Sequence, residues 1–161
     1  MLATIEKVDK GYIAQFTRPL DYSIEKVWGV LTENDNLSKW MAHLEIVDLR
    51  INGLIKFNFN DGSDQYEEFK ITDYENQAIL EFQWGQDTVR FEIQSKESNC
   101  ILILKEYITE ITDHTPKDLA GWHMCLTSFQ KVLDKEPIEN PTSEEFEGLF
   151  EQCKKLIAAI I

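Results

Sequence analysis

Few side chains in this sequence could take part in bond making or breaking. The candidate acids and bases are two carboxylates. Glu67 shares the phase of Phe69 and Ile71 on one alternating stretch, and Glu106 shares that of Leu102 and Leu104 on another. If that phase points inward, both acids approach an apolar interior. Desolvation would raise their pKa, and a protonated carboxyl can donate a hydrogen bond or act as a general acid. The competing reading leaves both near strand ends, in solvent. The histidines, His43, His114 and His123, include no pair spaced i, i+4. His123 and Cys125, two apart, project about 200° from each other on a helix, so no metal site is expected. There is no Gly-rich phosphate loop, nucleophile elbow or Walker pattern. The expectation is therefore no cofactor and no complete catalytic constellation. Cys100, Cys125 and Cys153 are odd in number, scattered and without a basic cluster, which predicts reduced packing thiols.

The rings are more telling than the acids. Phe57, Phe59, Phe69, Phe82, Trp84 and Phe91 all fall on one phase of their stretches. They either line a ligand cavity or fill a core. Burial alone stabilises a side chain of this size by roughly 1.5–3 kcal/mol, so packing suffices to explain any one of them. Trp122 and Leu126 belong to the stripe Leu119, Trp122, Leu126, Phe129, Leu133 and could close either a cavity or a core. The indole N–H of Trp122 would seek a partner there.

Several elements must position these groups. Gly11 to Leu20 alternates loosely and reads as a strand. Ser23 then caps a helix whose face is Ile24, Val27, Trp28 and Leu31. Asn34-Asp35-Asn36 interrupts, and Leu37 to Trp40 forms a second short helix or turn. From Leu44 to about Ile108 the period is two. That implies five or six strands with short joins, hence an antiparallel meander. Thr115, as N-cap, and Pro116, at the first helical position, open a long helix. Pro137 and Pro141 mark a linker before a terminal amphipathic helix over about 142–160. Strands in one run with helices set apart predict an α+β fold, a curved sheet gripping the long helix.

The 161 residues fit one domain, 1–161. Hydrophobic residues make up 43% and charged residues 28%, and the formal charge is −13. Such acidity argues against nucleic acid and anionic membrane surfaces as partners. The N-terminus lacks the apolar stretch of a signal peptide and no run is long enough to span a bilayer, so a cytoplasmic protein is expected. The acids Glu136, Glu139, Glu144, Glu145 and Glu147 read as a solvated linker and helix face.

The run Phe16-Thr17-Arg18-Pro19-Leu20-Asp21-Tyr22-Ser23-Ile24-Glu25-Lys26-Val27-Trp28, with Leu31-Thr32 and Leu37-Ser38-Lys39-Trp40, resembles the opening of the SRPBCC (START-like) superfamily. The nearest branch is that of the C-terminal domain of heat-shock ATPase activators. Gly121-Trp122-His123-Met124-Cys125-Leu126 resembles the start of that branch's last long helix, and Gly53 matches a glycine before its third strand. The resemblance covers about residues 12–135. It implies the helix-grip fold and a hydrophobic cavity between sheet and helix. In that family a polar residue, often histidine, stands near the position of Glu106. Three functions follow as expectations. The first is a binding module for a small hydrophobic or amphipathic ligand. The alternative is a co-chaperone-like protein-interaction module acting through the acidic surface. The third is a cyclase- or hydrolase-like enzyme using a cavity carboxylate. Self-association through the apolar end Leu156 to Ile161 also stays open.

Overall fold

In the computed structural model, which describes residues 2–161, the alternating stretches form one eight-stranded antiparallel sheet. Its strands are β1 (Thr4–Val8), β2 (Gly11–Leu20), β3 (Leu44–Asp48), β4 (Leu54–Asn58), β5 (Tyr66–Glu75), β6 (Ile79–Trp84), β7 (Asp87–Lys96) and β8 (Asn99–Ile108). They lie in the order β1-β2-β8-β7-β6-β5-β4-β3. Six consecutive strands, β3 to β8, are joined by short turns. Helices α1 (Ile24–Thr32) and α2 (Asn34–Trp40) carry the chain from β2 to the opposite edge at β3. The long helix α3 (Thr115–Asp134) packs on the inner face, and α4 (Ser143–Ala158) lies against α3 and β1. This is the helix-grip arrangement, an α+β fold.

Local sequence explains most boundaries. Ser23 Oγ accepts from the Lys26 N–H and caps α1. Thr142 and Glu145 make a reciprocal capping box at α4. Gly53 sits where the chain folds back on itself. A Cβ there would lie 2.0 Å from the Asp48 carbonyl oxygen and 2.7 Å from that of Arg50, so no larger residue fits.

Two expectations need correcting, and one strand has no counterpart in the sequence reading. Thr115 is not the N-cap of α3: the helix begins at Thr115 itself, with His114 as N-cap, and the Thr115 hydroxyl accepts from the Thr112 N–H in the preceding turn. Asn34-Asp35-Asn36 does not interrupt but forms the first turn of α2, and the break falls at the extended Glu33. Strand β1, unrecognised in the sequence, lies at the sheet edge, paired only with β2. Its exposure pattern carries no clean alternation because an edge strand buries little on either face.

The core lies between the sheet and α3. Phe16, Phe82, Phe91, Leu102, Leu104, Leu119, Trp122 and Phe129 are among its most buried side chains. Among the described residues no helix is long and apolar enough to cross a membrane.

Candidate functional site

The inner face of the sheet is largely apolar, and Glu106 and Arg18 are charged exceptions in it. On β8 the inward positions are Cys100, Leu102, Leu104, Glu106 and Ile108, all buried. Glu106 stands between Ala14 of β2 and Val89 of β7, with 0% of its surface exposed. On β2 the inward positions are Ala14, Phe16, Arg18 and Leu20, so Arg18 too is directed toward α3. A register of period two places these charges inside as firmly as it places their apolar neighbours.

Among the described residues Glu106 has no hydrogen-bond partner at either carboxyl oxygen. Burial, and then the neighbouring carboxyl of Asp118, push its pKa up to about 11. It is therefore a neutral acid at physiological pH, with an O–H to donate. Asp118 comes from the first turn of α3, where a negative charge is favoured by the helix dipole. It also lies 3.5 Å from the indole nitrogen of Trp84. One turn further, Trp122 is buried and its indole N–H has no partner among the described residues. By contrast, the Trp40 indole donates to the Val30 carbonyl at 2.9 Å.

Beside Trp84, Asp118 and Trp122 opens a half-enclosed cleft of about 230 Å³. Phe57, Trp84 and Trp122 form its walls; Met41, His43 and Cys125 also line it. Trp84 packs on Trp122 at 5.0 Å between ring centroids and on Phe57 at 5.6 Å. His43 stacks flat on Phe57 at 5.0 Å and is held by the Asn58 carbonyl at 2.7 Å. Lys117 and Asp118 supply charge at the rim. Burial raises the Cys125 thiol to about 12, leaving it almost wholly un-ionised near neutral pH.

The residues singled out from sequence are therefore dispersed. Phe57, Trp84 and Trp122 line the cleft. Phe69, Phe82 and Phe91 are buried in the core behind it. Phe59 is half-buried and meets Phe57 edge-on. Leu126 is buried and lines a separate cleft described below. Glu106 lies buried beside Asp118, whereas Glu67, opposite Phe57 on β5, is exposed to solvent. Sequence reasoning missed Asp118, His43 and Arg18. Asp118 is one helical turn before Trp122, and Arg18 shares the parity of Phe16 and Leu20; both signals were present in the spacing.

The sequence pattern of the family described as activator of Hsp90 ATPase homolog 1-like protein matches residues 21–134. The chain belongs to this family. The match begins before α1 and ends with α3, so it takes in Glu106, Asp118 and Trp122. No curated protein matches the chain. Among solved structures, it resembles a conserved protein of unknown function, EF2215, from Enterococcus faecalis. Identity is 24% and the TM-score 0.84, over 99% of this chain and 92% of the other. CalU16 from Micromonospora echinospora is 17% identical with a TM-score of 0.73, covering 98% of this chain and 94% of its own. The Aha1 dimer protein from Colwellia psychrerythraea is 23% identical with a TM-score of 0.62, over 75% and 95% of the two chains. The first two likenesses extend the fold assignment through α4; at such identities all three speak to fold alone.

Proposed function

We propose that the Phe57–Trp84–Trp122 cleft binds a small, largely apolar molecule that presents a carbonyl, ether or hydroxyl oxygen to its floor. The observation that carries this reading is the buried Trp122 indole N–H, which has no partner among the described residues and belongs to a residue lining the cleft; the unpartnered Glu106 carboxyl lies beside Asp118, another lining residue. Leaving such a group unsatisfied costs about 1–3 kcal/mol. A ligand oxygen accepting from the Trp122 N–H or the Glu106 O–H would offset that cost on binding. Both groups donate, so the complementary ligand atom is an acceptor. The aromatic walls supply the apolar contact typical of small-molecule sites. Family membership favours the same direction, since this fold typically serves as a ligand-binding or interaction module. Among the described residues, the acidic surface and the terminal helix carry no buried polar side-chain atom left without a partner.

A screen of aromatic ketones, lactones and alcohols, read by thermal shift and by the indole N–H resonances of 15N-labelled protein, tests the proposal. Binders should move the Trp122 indole signal, and Trp84→Ala should weaken them about tenfold or more. A screen in which no compound stabilises the protein, or binders that leave the Trp122 signal in place, would overturn it.

A further inference from the structure

A second cleft, of about 300 Å³, opens further along α3, among Arg18, Leu20, Leu102, Leu126 and Phe129. Its notable member is Arg18. The side chain comes off the inward phase of β2, opposite Leu102, and is half-buried. The protein holds 29 acidic residues, yet among the described residues none forms an ion pair with Arg18. Its guanidinium donates to the Thr17 carbonyl at 3.1 Å and meets His123 Nδ1 at 3.3 Å. That nitrogen accepts only in a neutral imidazole, the form that burial and the adjacent guanidinium both favour in His123. The remaining N–H donors of the fork have no protein acceptor among the described residues.

A partly desolvated charge without a counter-ion is uncommon, because burial penalises it. Here it borders a cleft with leucine and phenylalanine walls. We propose that this second cleft binds a small amphipathic carboxylic acid, its carboxylate paired with Arg18 and its apolar body lying against Leu20, Leu102, Leu126 and Phe129. The planar fork suits a carboxylate, which it can hold through two parallel hydrogen bonds. The rim specifies the charge of the ligand. Lys131 adds a cation, while Asp134 and Glu136 add two carboxylates. The Tyr22 hydroxyl and the Gln130 amide already engage Asp134. The formal charges of the lining groups thus cancel, which favours a monoanion over a phosphate dianion. This site stands apart from the Trp84 cleft and does not depend on it.

Decanoate and decanol, equal in chain length, separate the charge from the apolar contact. Decanoate should bind wild-type protein at least tenfold more tightly than decanol, and it should shift the methyl resonances of Leu126 and the ring signals of Phe129. Inorganic phosphate at equal concentration should not displace it. Arg18→Met should remove the preference for the acid while decanol binding stays within about twofold, and Arg18→Lys should keep part of the preference. The wild-type comparison needs no variant, so a folding defect in Arg18→Met leaves the proposal open to refutation. Equal affinity for acid and alcohol, binding of neither, or shifts confined to the Trp84 and Trp122 indoles would each overturn it.

Discussion

Both faces of one sheet carry charged residues, and they treat them in opposite ways. On the outer face, Arg90 of β7 contacts Asp73 and Glu81 at 2.9 Å and Glu92 at 2.5 Å, while Lys105 reaches Glu92 at 3.3 Å. Burial alone would lower the Arg90 pKa, but the three carboxylates more than compensate and raise it. On the inner face, among the described residues, Glu106 has no partner for its oxygens and Arg18 pairs with no carboxylate. The charges best able to pair are those in contact with water, where pairing contributes least. The charges left alone are those where pairing would matter most. Stability does not explain that inversion. The two proposed ligand sites would explain it, with these groups held ready for an incoming partner.

The largest test of the contrast is Glu106→Leu. Below about pH 4.5, the ordinary value for this carboxyl, Glu106 is neutral both folded and unfolded. Above it the unfolded chain ionises while the folded one does not. Wild-type stability should therefore fall as pH rises toward about 11, where the folded group would ionise. Leucine abolishes this proton linkage and removes two unsatisfied oxygens. We expect Glu106→Leu to gain ~3 kcal/mol in urea unfolding at pH 8 and much less at pH 4. It should also lose affinity for ligands of the Trp84 cleft. A variant less stable than wild type at pH 8 would mean that Glu106 has a partner in the folded protein.

How far the sequence revealed this arrangement depended on periodicity. Alternation placed Phe82, Phe91, Leu102, Leu104 and Glu106 on one inward phase because each lies in a central strand, where parity decides burial. The same parity misplaced Glu67. It lies next to the first residue of β5, beside the loop after β4, and nothing covers that end of the strand. Alternation leaves Phe82 and Phe91 as either wall or filling, because it gives direction and not depth. Phe82 is 1% exposed, while Trp84, two residues on, lies in the cleft. The approach of Asp118 to Glu106 is illegible for another reason. It depends on how α3 is set against β8 along its axis, which no local pattern specifies.

A matched pair of indoles gives an intermediate effect. Trp40 and Trp122 are both buried, but only Trp40 has an acceptor. Trp40→Phe should cost ~1–2 kcal/mol, since it strands the buried Val30 carbonyl acceptor. Trp122→Phe removes an N–H that has nothing to lose, so its loss should be below that of Trp40→Phe by ~1 kcal/mol. Its effect should appear instead in ligand affinity. Thermal unfolding of the two variants with and without ligand distinguishes these outcomes. An equal stability loss in both would show that the Trp122 N–H is satisfied by water.

The smallest effect belongs to the outer face. Arg90→Met should cost only about 1 kcal/mol at pH 7, because its partners are partly exposed and screened by solvent. Its pH dependence should run opposite to that of Glu106. The hydrogen bond from Arg90 lowers the Asp73 pKa; in Glu92, pairing with Arg90 and Lys105 outweighs the opposing effect of burial. Groups with depressed pKa contribute stability above their unfolded values, and that contribution is lost as pH falls through the folded ones. The gap between wild type and Arg90→Met should therefore close between about pH 5 and pH 3, and shrink in high salt at pH 7. A gap that widened on acidification would indicate that the outer carboxylates are held apart by Arg90 rather than neutralised by it.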